Sequence, residues 1–137
     1  MGLSGASRPR ILVIDDEEHF ARLLQDYFQH RGFEVTVSLG GLEGFREASR
    51  RSFDLITLDI NMPGVNGVES LRGMELVGQK AKVVVISGYL TGEVSADCRA
   101  AGAAAVLAKP VELARLGALA DALLGRPEAG ARPAASP

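Results

Sequence analysis

The chain has one cysteine, no tryptophan, two histidines and 5% aromatic residues in a length of 137. A single thiol, Cys98, cannot form an intrachain disulfide, and without a Cys or His cluster zinc and the softer metals are disfavoured. No apolar run exceeds strand length, so no membrane span is expected. The opening MGLSGASRPR lacks the apolar stretch of a secretory signal, and Ala6 stands where a myristoylation motif carries Ser or Thr. A cytoplasmic protein is the expectation. A formal net charge of -2 gives no broad basic surface for direct nucleic-acid binding. The phosphate-cradling patterns G-x-x-x-x-G-K-[ST] and G-x-G-x-x-G are both absent, which excludes the common nucleotide and dinucleotide readings.

What is present is ordinary for one globular domain: 47% hydrophobic and 23% charged residues, in a chain long enough to bury about two thirds of its unfolded surface. The apolar run "RILVID" is followed by "EEHFARLLQDYFQHRG", where Phe20, Leu23, Leu24, Tyr27 and Phe28 recur at helical spacing until Gly32 closes the helix. "FEVTV" alternates, as a half-exposed edge strand does. The pattern then repeats. A helix is expected over about 40–51, strand "DLITL", a helix over about 66–77, strand "KVVVIS", a helix over about 91–101, strand "AAVLA" and a helix over about 111–124.

Apolar strands separated by amphipathic helices imply a parallel sheet covered on both faces, because parallel strands need right-handed crossovers. The expected fold is α/β, a three-layer, doubly wound, five-stranded parallel sheet, with the flavodoxin-like order 2-1-3-4-5 adopted from known folds of this type. The expected organisation is a flexible lead over 1–9, one domain over 10–124, and an Ala/Pro/Gly tail or linker start over 125–137. That tail holds too little apolar surface to order itself.

In such a sheet ligands bind beyond the carboxyl ends of the strands. The first strand ends in Asp15-Asp16, the third in Asp59, the fourth in Ser87-Gly88 and the fifth in Lys109-Pro110. Taken singly, each has a plain structural role: an Asp caps a helix, a Ser fills a turn, a Lys is solvated. Taken together they are compatible chemistry at one sheet edge. Two carboxylates about 4 Å apart repel by roughly 4 kcal/mol at an effective dielectric near 20, so cations must offset three of them. Lys109 supplies one charge, and an all-oxygen site suits hydrated Mg²⁺. A phosphoryl group at Asp59 would meet metal, ammonium and the Ser87 hydroxyl, and carboxylates are competent to form acyl phosphates.

The motifs "VIDDEE", "DLITLDINMPGVNG", "VVVISG" and "AKP", over about residues 10–124, resemble those of the response-regulator receiver domains of two-component and phosphorelay signalling. The resemblance implies Asp59 as phosphoacceptor, Asp16 as a direct Mg²⁺ ligand, Asp15 acting largely through water, and the Asn61 backbone carbonyl completing the metal site. Ser87 and Lys109 would bind phosphoryl oxygens, with a cis Lys109-Pro110 bond. The phosphate donor would be a phosphohistidine on a sensor histidine kinase or a histidine phosphotransfer protein. Such a protein catalyses its own Mg²⁺-dependent phosphorylation and slow dephosphorylation, and is a signalling protein more than a turnover enzyme. With no reader module after Leu124, the expected form is a stand-alone receiver acting on a downstream protein partner, with neither nucleic acid nor membrane, and with a homodimer allowed.

Three positions bear on signal and lifetime. Receivers commonly carry an aromatic residue three places before the pocket lysine, where this chain has Val106, so altered coupling is expected there. Val106 is also the best support for the alternative, a phosphate-independent pseudo-receiver acting as an interaction module. Against it stand the three acids, which a pocket freed from phosphate chemistry has no reason to keep. A haloacid dehalogenase-type phosphatase would need Asp-x-Asp after the first strand, which "DDEE" does not supply. Asn61 and Tyr89 occupy the places that tune access of water to the acyl phosphate. Tyr89→Ala is therefore expected to change the dephosphorylation rate, and an unchanged rate in a side-by-side decay assay removes that role.

Overall fold

The computed structural model describes residues 8–126, and the expectations for the rest of the lead and tail lie outside the described residues. Five strands and five helices alternate: β1 (Arg10–Ile14), α1 (Glu18–His30), β2 (Glu34–Ser38), α2 (Gly41–Arg50), β3 (Leu55–Leu58), α3 (Gly67–Leu76), β4 (Lys82–Ser87), α4 (Gly92–Ala100), β5 (Ala105–Ala108) and α5 (Leu113–Leu124). All strand pairings are parallel and the order is β2-β1-β3-β4-β5, so β2 is an edge strand, as its alternation implies.

The inner strands read as unbroken apolar runs because both sheet faces are covered. Ile11, Val13, Leu55, Val84 and Ile86 point to one face and pack with Leu24 and Phe28 of α1 and Leu116 and Ala120 of α5. Leu12, Ile14, Ile56, Leu58, Val83 and Val85 point to the other and pack with Ala48, Leu71, Met74 and Cys98 from α2, α3 and α4. Leu113, Leu123 and Leu124 also lie against the first of these layers, so the leucines of α5 are committed to the core.

Helix boundaries follow local chemistry. Asn66 accepts from the Glu69 amide at 3.1 Å and Thr91 from the Val94 amide at 3.0 Å, each capping the helix it precedes. Gly32 at φ +92° and Gly125 at φ +68° supply the left-handed turns that close α1 and α5. The last helix begins at Leu113, two residues after the periodicity suggests, with Glu112 as its extended N-cap.

Gly117 lies where α5 crosses α1, against the ends of the Tyr27 and Arg31 side chains. A Cβ there would collide with the Tyr27 hydroxyl and sit 2.9 Å from Arg31 Cζ. Beside that crossing Asp121, 2% exposed, is paired with Arg31 and lies 3.8 Å from Arg126 Nη1. On the opposite layer Gln79 ties three segments together. Its amide donates to the carbonyls of Ala48 and Arg51, both at 2.8 Å, and its oxygen accepts from the amides of Phe53 at 3.3 Å and Ala81 at 3.2 Å. Gln79→Ala is expected to cost about 2 kcal/mol, since it strands half-buried backbone groups, whereas Lys80→Ala should stay within about 0.5 kcal/mol. Urea unfolding of the two variants checks this.

Candidate functional site

The register of the sheet carries the polar strand ends to one edge. Ile14 pairs with Leu58 across β1 and β3, so Asp15 and Asp59 follow side by side, and the Asp59 amide donates to the Ile14 carbonyl at 3.0 Å. Ser87 pairs with Ala108 across β4 and β5, and the Lys109 amide donates to the Ser87 carbonyl at 2.9 Å. The Lys109-Pro110 bond is cis. Carboxylate oxygens of Asp15, Asp16 and Asp59 all lie within 4.8 Å of one another. Asp15 and Asp59 are 3% and 5% exposed, and Asp16 lies open to solvent.

Lys109 is the counter-charge. Its Nζ donates to Asp15 at 2.9 Å, to Glu17 at 3.1 Å and to Asp59 at 3.3 Å, and it sits 4.7 Å from the centre of the Phe20 ring. Burial alone would lower the Lys109 pKa, but hydrogen bonds to Asp15 and Glu17 and the nearby carboxylate charges more than offset it, so the amine is held above the ordinary lysine range. Burial pushes the Asp15 carboxyl above the usual carboxylate range, and the Asp59 charge adds to that push. Hydrogen bonds from Lys109 and from the Glu17 amide oppose it.

The remaining residues singled out from sequence sit around this centre. The Asn61 amide donates to Asp59 Oδ1 at 2.8 Å, and Asn61 Oδ1 accepts from the Tyr89 amide at 3.2 Å, which ties the β3–α3 loop to the β4–α4 loop. Ser87 is fully buried and its Oγ accepts from the Tyr89 amide at 3.2 Å. Tyr89 is 82% exposed. Val106 is 8% exposed in the layer that includes Val85, Cys98 and Ala103. Burial raises the Cys98 thiol pKa, with help from Asp97, so Cys98 is a packing residue in its thiol form.

Two contacts at the centre escape a sequence reading. Glu17 reads as the start of a helix and Phe20 as part of the α1 core stripe, yet both touch Lys109 from 92 positions away or nearly so. The signal for Glu17 is its place in the "DDEE" run, two steps past Asp15, which also meets the lysine.

An open parallel sheet with acids and a lysine gathered beyond its carboxyl edge defines a flavodoxin-like α/β protein whose site lies at the strand ends. Residues 11–121 match the response regulator receiver domain, and the chain belongs to that family, the receivers of two-component response regulators. It is 38% identical over 121 residues to the transcriptional activator protein PfeR of Pseudomonas aeruginosa, a match covering 86% of this chain and 38% of that protein. The chain thus spans well under two thirds of that relative's length. Among solved structures it is similar to a CheY-like receiver domain protein from Methanospirillum hungatei JF-1, with TM-score 0.83, 28% identity and coverage of 87% of this chain and 95% of that one. It is also similar to a response regulator of Burkholderia pseudomallei described with a phosphorylated aspartic acid, a calcium ion and citrate, with TM-score 0.74, 27% identity and coverage of 79% and 64%. Among the described residues no helix is long and apolar enough to cross a membrane.

Lys109→Met is expected to destabilise the metal-free protein by about 3 kcal/mol at pH 7, because it leaves buried carboxylates without their partner. Lys109 itself stays charged throughout the acid and neutral range, so the pH dependence comes from Asp15, whose carboxyl burial already holds above the usual range. Without the ammonium the folded variant binds protons more tightly than its unfolded chain, and its stability rises as pH falls. The deficit against wild type should therefore shrink between pH 7 and pH 5 in urea titrations. An equal deficit at both values contradicts this account.

Proposed function

We propose that the chain takes a phosphoryl group from a phosphohistidine, on a sensor histidine kinase or a histidine phosphotransfer protein, onto Asp59, and signals by changed binding to a downstream protein. The observation that carries this reading is the placement of Asp59. It is a carboxylate 5% exposed, 3.3 Å from an ammonium and grouped with two further acids whose oxygens lie within 4.8 Å. In the transfer an Asp59 oxygen forms the new P–O bond as the P–N bond of the donor breaks, and the electron pair stays with the donor imidazole.

The donor set fits Mg²⁺, since it is all oxygen and one acid, Asp16, is open to solvent where the ion's remaining waters would stand. Asp15, Asp16, Asp59 and the Asn61 carbonyl are the residues that would hold it. When bound, Mg²⁺ supplies positive charge against the phosphoryl oxygens. Lys109 binds and orients the phosphoryl group from the other side, and the Ser87 hydroxyl, which accepts from the Tyr89 amide at 3.2 Å and donates to the Tyr89 carbonyl only over a long 3.5 Å, can turn its proton to a third oxygen.

Val106 bears on output. A buried valine has no ring to swing between core and surface, so a change in binding would not be carried by an aromatic rotation at this position. This same residue supports the second reading, a phosphate-independent interaction module. Incubation with acetyl phosphate and Mg²⁺, read by intact mass beside Asp59→Asn, separates the two. The proposal expects one added phosphoryl group in wild type, lost on chelation and in the variant. A folded wild type that stays unmodified favours the interaction module.

A further inference from the structure

The Lys109 ammonium has three N–H donors. Three carboxylates engage them: Asp15, Glu17 and Asp59 at 2.9, 3.1 and 3.3 Å. A phosphoryl group on Asp59 takes over the donor that the Asp59 carboxylate held, and a second donor to its oxygens must come from Asp15 or Glu17. The partners differ in what release costs. The side chains of Asp15 and Asp59 are 4% and 6% exposed, whereas that of Glu17 is 62% exposed. Once phosphorylated, Asp59 no longer carries a carboxylate charge, and of the other two Asp15 freed of the lysine would keep a buried charge with only the Glu17 amide against it, while Glu17 is rehydrated where it stands.

We propose that Glu17 is a releasable latch on Lys109, a positioning residue that holds the ammonium at the mouth of the site before phosphorylation and yields that donor to a phosphoryl oxygen afterwards. The inference rests on the Asp59 function proposed above. Local structure leaves the Glu17 carboxylate free for this role. Glu17 occupies the N-cap of α1 in extended conformation and its side chain makes no capping bond. Its backbone is fixed independently, with its amide donating to Asp15 Oδ1 at 2.9 Å and its carbonyl accepting from the Ala21 amide at 3.0 Å. Side-chain substitution leaves both bonds in place. The Phe20 ring, 4.7 Å from Nζ, backs the ammonium on one side.

Glu17 could also act simply as a negative charge that repels anionic donors, and Glu17→Asp separates the two effects. It keeps the charge but draws the carboxylate back by one methylene, out of reach of Nζ. Glu18→Gln is the matching control. It removes a charge from the next residue, whose carboxylate pairs with Arg22 at 3.6 Å.

Two readouts test the latch. In the metal-free protein, ¹⁵N NMR follows exchange of the Lys109 ammonium protons with water, against the exposed Lys80 and Lys82. Exchange should quicken about two- to fivefold in both Glu17→Gln and Glu17→Asp and stay at the wild-type rate in Glu18→Gln. With Mg²⁺ and acetyl phosphate, phosphorylation rates of the two Glu17 variants should rise over Glu18→Gln by a similar factor. A Glu17→Asp variant that matches wild type in both readouts, or Glu17→Gln and Glu18→Gln variants that match each other, overturns the latch. Wild type phosphorylated normally beside unaffected Glu17 variants overturns the latch alone, whereas wild type that never takes up a phosphoryl group overturns the Asp59 reading and the latch with it.

Discussion

The contact on which the site depends is the one between Lys109 and the acids of the first and third strands. Asp15 and Asp59 are nearly sealed from water, and carboxylates so placed repel strongly unless a cation stands between them. Lys109 reaches both from the end of β5, 94 and 50 positions away in sequence. One lysine does not balance three acids. The imbalance leaves a site with net negative charge and oxygen ligands, suited to a divalent cation, and the phosphoryl chemistry proposed for Asp59 follows from the same arrangement.

The sheet makes that contact possible by register. Parallel pairing sets Ile14 beside Leu58 and Ser87 beside Ala108, so the residue after each strand falls on a common edge. The helices keep the sheet dry on both faces, and their close approaches are specific. Gly44 would place a Cβ 2.7 Å from Ile14, the residue before Asp15, so α2 presses directly on the strand that carries the acids. Gly117 does the same for α5 against α1.

Much of this is legible in the sequence because it is encoded locally. Continuous apolar runs mark β1, β3 and β4, the alternation of "FEVTV" marks the edge strand, and Asn66 and Thr91 mark the helix starts they cap. The acids, the serine and the lysine stand out because each ends an apolar run. What the sequence conceals is long-range. Gln79 reaches the end of α2 from 31 positions away, and Arg31 meets Asp121 across 90. Nothing local distinguishes Gln79 from a solvated loop residue. Gly117 has a reason only once Tyr27 and Arg31 are known to face it. Glu17 is hidden differently, since its neighbours already explain the motif and its own carboxylate serves a lysine 92 residues on.

The central claim is that the acidic edge is incompletely neutralised by Lys109 and completed by a divalent cation. Urea unfolding of the wild type across a Mg²⁺ titration at constant ionic strength, beside Asp16→Asn, tests it most directly. The account predicts a saturable gain, about 2.7 kcal/mol at a hundred times the dissociation constant, that is largely lost in the variant. A stability that Mg²⁺ leaves unchanged, or raises equally in Asp16→Asn, contradicts it.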